Sequence, residues 1–145
     1  MSGGAQPPAV LLDSCAVIWL AEGSPMDDEA LTAIAHAAGA EGLLVSPISA
    51  WEVGLLSRPK AGRGVTFLPD PDIWFSRVMA APSIRPAPFT PAIAIAASRL
   101  PEPLHADPAD RLLIATARAL GAPLVTRDSK IITYAAAGHV AVLAC

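Results

Sequence analysis

The sequence predicts an α/β domain of three layers, with helices on both faces of a central, mostly parallel sheet. Three observations predict it. Short continuous runs such as Ala9-Val10-Leu11-Leu12, Gly42-Leu43-Leu44-Val45 and Leu124-Val125-Thr126 read as strands, the apolar ones suited to burial on both faces. Segments with helix-start and helix-stop signals alternate with them, which implies right-handed crossovers over a parallel sheet. The chain has 145 residues, 53% of them hydrophobic and 16% charged. One domain of this length buries roughly 68–70% of its unfolded surface, and two domains would each be marginal. A single unit over residues 1–145 is expected.

The elements follow in order. Ala9 to Leu12 is a buried strand ending at Asp13, and Cys15 to Ala21 is a helix stopped by Gly23. Asp27, Asp28 and Glu29 put acid in the first turn of a helix reaching Ala38, where the N-terminal dipole favours negative charge, and Gly39 ends it. Gly42 to Val45 is the second strand; Ser46-Pro47 breaks it, and Ile48 to Leu56 is an apolar-rich helix carrying Glu52. Arg58 to Pro71 is the longest irregular stretch. Asp72 to Ala80 is helical, with Trp74 and Val78 four apart. Ser83 to Pro88 suits only an edge strand, because its prolines cannot donate to a ladder. Thr90-Pro91 and Asp107-Pro108 each pair an N-cap with proline at the first helical position, opening helices to about Arg99 and Leu120. Leu124 to Thr126, Ser129 to Ala137 and Val140 to Leu143 complete the chain as strand, helix and strand.

Composition narrows the function. Low charge with a mean hydropathy of +0.48 excludes intrinsic disorder. It also leaves more apolar surface than a small monomer hides, which points to an oligomer or a partner. A net charge of −3 argues against binding driven by a basic surface alone. Cys15 and Cys145 form neither a disulfide framework nor a zinc pattern. The start, MSGGAQPP, has no secretory-signal pattern, and no apolar run reaches membrane-spanning length, so a cytoplasmic domain is expected.

Carboxylates fall where ligands bind in such folds. Asp13 ends the first strand and Asp128 follows the Leu124–Thr126 strand, both at carboxyl ends. Asp107 and Asp110 open a helix, and the plain reading of Asp107 is an N-cap. Glu52 follows Trp51 inside an apolar run, where an acid needs a partner or a cation unless it faces solvent. Taken singly, Asp13 and Asp128 also suit solvated loop acids. Together the acids can converge on one oxygen-lined pocket, whose donors suit Mg²⁺ or Mn²⁺ rather than zinc. His36, His105 and His139 share no metal-ligand spacing and read as surface or capping residues; His105, two before Asp107, is the one near the site.

These residues carry a family resemblance. The segments LLDSCAVIWL, VSPISAWEVGLL and HADPADRLLIATARALGAPLVTRD resemble, in order and at family spacing, the blocks of PIN-domain ribonucleases, specifically VapC-type toxins of type II toxin–antitoxin systems. The resemblance implies a PIN-like three-layer fold and a Mg²⁺- or Mn²⁺-dependent ribonuclease. It also implies a VapB-type antitoxin partner and cleavage products with 5′-phosphate and 3′-hydroxyl ends. It assigns Asp13, Glu52, Asp110 and Asp128 as the catalytic and metal-holding acids, with Thr126 and Asp107 assisting. Ser14-Cys15 stands where the family usually has Thr-His, so no histidine acts there.

Around that site Arg58, Lys60, Arg63, Arg111, Arg127 and Lys130 are candidates for RNA backbone contact, each weighed against a solvated charge. Trp51 reads as core rather than as a base-stacking platform, Trp19, Trp74 and Phe75 as core or interface residues, and Cys15 as a small packed hydrophobe with no base to activate it. A homodimer is expected from the apolar surplus. The rival readings are a non-catalytic PIN-like scaffold that binds partners and, more remotely, a phosphoacceptor receiver domain. The latter needs an acidic pair at the first strand, where only Asp13 stands.

Overall fold

The computed structural model describes residues 9–59 and 64–145. Five short parallel strands run β1 (Val10–Leu12), β2 (Leu43–Val45), β3 (Ile84–Pro86), β4 (Leu124–Thr126) and β5 (Val142–Ala144). Their order across the sheet is β3-β2-β1-β4-β5. The chain winds outward from β1 to β3, then returns to β1 and winds the other way. The reversal lies between β1 and β4, where Leu11 and Leu12 register with Leu124 and Val125. Connections leaving neighbouring strands in opposite directions open a crevice at their carboxyl ends.

Side-chain alternation divides the core into two layers. Leu11 and Leu124, each fully buried, face one cluster with Leu113, Ile114, Ile131 and Tyr134. Val10, Leu12, Leu43, Val45 and Val125 face the other, with Ala16, Val17 and Ile34. Helices α1 (Ser14–Glu22), α2 (Asp28–Ala38) and α4 (Pro71–Met79) cover the second face. Helices α5 (Pro91–Ser98), α6 (Pro108–Leu120) and α7 (Ser129–Ala136) cover the first. Helix α3 (Pro47–Ser57) seals one end, placing Ile48 in the first layer and Val53 with Ile18 and Phe67. Truncating Leu11 to alanine would remove about 2–5 kcal/mol.

The helix boundaries have local causes. Asp13, Ser46, Asp70, Thr90, Asp107 and Asp128 each accept a backbone N–H from the turn they open. Gly23 and Gly121, at φ 71° and 64°, end α1 and α6 in the left-handed conformation that a Cβ disfavours. β3 lies at the sheet edge, as its prolines require. The last strand begins at Val142, later than expected; Val140 joins the core from the turn before it. Among the described residues no helix is long and apolar enough to cross a membrane.

Two expected packing roles are not met. Trp51 is 53% exposed, because its phase on α3 turns it away from the core that Val53 enters. Cys15 is exposed, the outward residue of the first turn of α1. Trp19, as expected, packs against the core, with Arg127 over its ring face.

Candidate active site

Asp13 is the residue after β1. Its N–H still donates to Val125 O at 3.1 Å, so the sheet sets its backbone. Its Oδ1 accepts from Ala16 N at 2.7 Å, which starts α1 and holds the carboxylate over the crevice between β1 and β4. Asp128 lies two residues beyond β4, at the same edge of the sheet. Its Oδ1 accepts from Lys130 N at 2.8 Å and Ile131 N at 3.3 Å. Thr126, fully buried, lies beside both: its Oγ1 accepts the Asp128 N–H at 3.1 Å, and its hydroxyl favours the ionised form of the Asp13 carboxylate.

Glu52 reaches the site from the second turn of α3, where its Oε1 accepts from the hydroxyl of Ser14. Asp110 comes from the first turn of α6. Its N–H donates to Asp107 Oδ1 at 3.0 Å, and its Oδ2 lies 2.7 Å from His105 Nε2. Asp107 therefore serves as the N-cap of α6, and Asp110 is the acid presented to the site.

Asp13, Glu52, Asp110 and Asp128 line one cleft of about 280 Å³, together with Ser14, Cys15, Trp19 and Arg127. A larger groove of about 470 Å³, lined by Leu20, Trp74, Val78 and Ile84, contains no acid; the charge is concentrated in the smaller one. Burial raises the pKa of Asp13 above the usual carboxylate range; Thr126 and Ala16 oppose that, and Asp110 and Asp128 add to it. Burial likewise raises Glu52, opposed by Ser14, and Asp110, opposed by His105. The Cys15 thiol is pushed up to about 11, first by desolvation at the crowded cleft and then by the four acids. A thiol raised this far is largely protonated at neutral pH, which disfavours it as a nucleophile.

Among the described residues no three acid, histidine or cysteine side chains are drawn together as a formed metal centre. The four carboxylates are instead held by local donors. The bonds on Glu52, Asp110 and Asp128 engage one oxygen of each. The donor set is all oxygen, desolvated and mutually repelling, and that chemistry fits a hard divalent cation.

The basic candidates separate. Arg127 lines the cleft; its guanidinium lies 3.6 Å over the Trp19 ring, and Nη2 donates to Pro25 O at 3.2 Å. Arg111 does not line the cleft: it donates to Ala97 O at 3.1 Å and to His105 O and Glu102 Oε1 at 3.4 Å, bracing the loop before α6. Arg58 is exposed at the C-terminal end of α3, and Lys130 lines a neighbouring cavity. Lys60 and Arg63 lie outside the described residues. Sequence reasoning undervalued His105 and did not single out Ser14 as a partner of Glu52. The available signals were adjacency of Ser14 to Asp13, and a histidine spaced to reach across the N-cap to Asp110.

Comparison with known proteins agrees with this geometry. Residues 10–137, which include all four acids, match the family model described as PIN domain. The chain is 36% identical over 124 residues to Ribonuclease VapC22 of Mycobacterium tuberculosis (strain ATCC 25618 / H37Rv), covering 84% of this chain and 88% of that one. Among solved structures, VapBC2 from Rickettsia felis, bound to a DNA fragment from its promoter, superposes with a TM-score of 0.66 at 15% identity. That match covers 94% of this chain and 98% of the other. FitAcB from Neisseria gonorrhoeae superposes with a TM-score of 0.51 at 21% identity, over 92% and 96%. At these identities the two structures speak for the fold.

Proposed function

The chain belongs to the PIN domain family, and from that premise we propose that it is a Mg²⁺- or Mn²⁺-dependent ribonuclease acting as the toxin of a toxin–antitoxin pair. The observation that carries the reading is the meeting of Asp13, Glu52, Asp110 and Asp128 in one cleft at the reversal of strand order. A divalent metal is general among PIN ribonucleases. These four acids would hold it. When bound, the cation lowers the pKa of a water ligand and offsets charge on the attacked phosphate.

The chain's own residues do the rest. Thr126 holds the Asp128 backbone and the β1–β4 register holds Asp13, so the acids that follow β1 and β4 keep a common frame. Ser14 orients Glu52 and His105 orients Asp110, each fixing one oxygen of a carboxylate. Arg127, the one arginine or lysine lining the cleft among the described residues, is held flat on Trp19 and is placed to meet an RNA phosphate. An acidic protein thereby binds a polyanion only after its own carboxylates are neutralised.

An antitoxin partner is supported by the structural neighbours, which are toxin–antitoxin complexes. Self-association is supported by exposed Trp51, Ile95 and Phe89. A cytoplasmic location belongs to the same reading.

The experiment is cleavage of total and structured RNA by purified protein with Mg²⁺, Mn²⁺ or EDTA, with both product ends mapped. Metal-dependent cuts leaving 5′-phosphate and 3′-hydroxyl ends are expected. Cleavage that persists in EDTA, or ends carrying a 2′,3′-cyclic phosphate, refutes the metal mechanism. No cleavage of any RNA refutes the enzyme and favours a binding scaffold.

A further inference from the structure

A second cavity, about 490 Å³, adjoins the acid cleft and has no role in the chemistry above. Its volume lies within the ~300–1,000 Å³ usual for small-molecule sites. Two links join it to the acids. His105 lines it and bonds Asp110 in the cleft, and Ser129 and Lys130 line it directly after Asp128. It begins where the cleft ends.

The walls are braced. Tyr134 donates its hydroxyl to Pro101 O at 2.7 Å, and Arg111 holds the same loop at Glu102 and His105. Leu104 N donates to Glu102 Oε2 at 3.0 Å. The His139 ring rests on Tyr134 with centroids 4.7 Å apart. The acid here, Glu102, is engaged by Arg111, whereas the Lys130 ammonium is exposed and carries no protein salt bridge among the described residues. The cavity thus offers a cation, two imidazoles, the hydroxyls of Ser129 and Thr133, and the apolar face of Leu104. Single-stranded nucleic acids are held by such a combination, a phosphate on a cation and a base against a flat ring.

We propose that this cavity is a nucleotide subsite, binding the RNA residue next to the bond cut in the acid cleft, its phosphate at Lys130 and its base against His139 and Leu104. The assignment rests on the ribonuclease reading for its role, but not for its ligand. Thr133, exposed on α7, is the position at which a large side chain fills the cavity without disturbing the core.

Two arms test it. First, 5′-nucleoside monophosphates and orthophosphate are titrated separately into the EDTA-treated protein and followed by amide NMR. Saturable shifts at Leu104, Lys130 and Thr133 with the nucleotide are expected, and loss of them in Thr133→Trp. No shift, shifts unchanged in Thr133→Trp, or an equal response to orthophosphate overturns the nucleotide site. Second, on RNA with metal, Thr133→Trp should raise KM about tenfold, the scale of one lost stacking contact, with a smaller change in kcat and altered cut positions. Unchanged KM and cut pattern overturn the role in RNA binding. If wild type cleaves nothing, the ribonuclease reading fails and the nucleotide titration alone decides the cavity.

Discussion

Asp13→Asn separates two duties of one side chain. The carboxylate caps α1 through Ala16 N at 2.7 Å and, on the proposed reading, holds a cation. Asparagine caps about as well as aspartate, so the first duty survives and the second does not. Alanine loses both, and the missing cap should lower stability by about 0.5–2 kcal/mol relative to asparagine. Without metal, the asparagine variant also sheds a desolvated charge repelled by Asp110 and Asp128, so it should melt at or above wild type. With Mg²⁺ at about 100 times the wild-type dissociation constant, wild type should gain roughly 2.7 kcal/mol. If the variant binds 10- to 100-fold more weakly, its gain at the same concentration falls to roughly 0.4–1.4 kcal/mol. For a domain of this size each kcal/mol is about 3–4 °C in Tm. The assay is a melting curve of wild type, Asp13→Asn and Asp13→Ala, in EDTA and in Mg²⁺, beside RNA cleavage. Equal Mg²⁺ gains in wild type and Asp13→Asn, or near wild-type cleavage by Asp13→Asn, would refute the role given to this acid.

Other outcomes follow from the same geometry. Asp107→Ala should lower stability by about 0.5–2 kcal/mol through loss of the α6 cap, with a smaller loss of activity than Asp13→Asn; a large activity loss at unchanged Tm would make Asp107 a working acid. The folded pKa values of Asp13, Glu52 and Asp110 are raised, chiefly by burial. Stability from such groups is complete below their unfolded pKa and lost as pH rises through the folded value. In EDTA their contribution to Tm should therefore fall from mildly acidic pH toward neutrality, and in Mg²⁺ the trend should reverse, since cation binding needs the acids ionised. Parallel Tm–pH curves in the two media would contradict this. Light scattering should show a dimer at micromolar concentration, because Trp51 and Ile95 leave 53% and 56% of their surfaces uncovered in one chain. A monomer would count against self-association through them.

What the sequence determined by itself was local. Every described helix but α2 starts where a capping side chain meets the first unsatisfied N–H groups, a contact spanning two or three residues. Ser46-Pro47, Thr90-Pro91 and Asp107-Pro108 were legible for that reason. The buried strands were legible because continuous apolar runs have no other stable place. The order of the acid-bearing segments carried the family resemblance, and with it the four acids.

Tertiary structure decided which way single side chains face and whom they meet. Trp51 and Val53 lie two residues apart on one helix, yet one is exposed and the other buried, because the phase of α3 against its neighbours is set by packing. Arg111 became a brace and Arg127 a cleft residue through acceptors up to 102 positions away in the chain. His105 reached Asp110 because the loop before α6 folds back over the cap. Above all, the strand order put β1 beside β4, so Asp13 and Asp128, 115 residues apart in sequence, share one cleft. Capping and hydropathy act over a few residues and are written into the chain; adjacency across the sheet depends on how the connections wind, which no local pattern encodes.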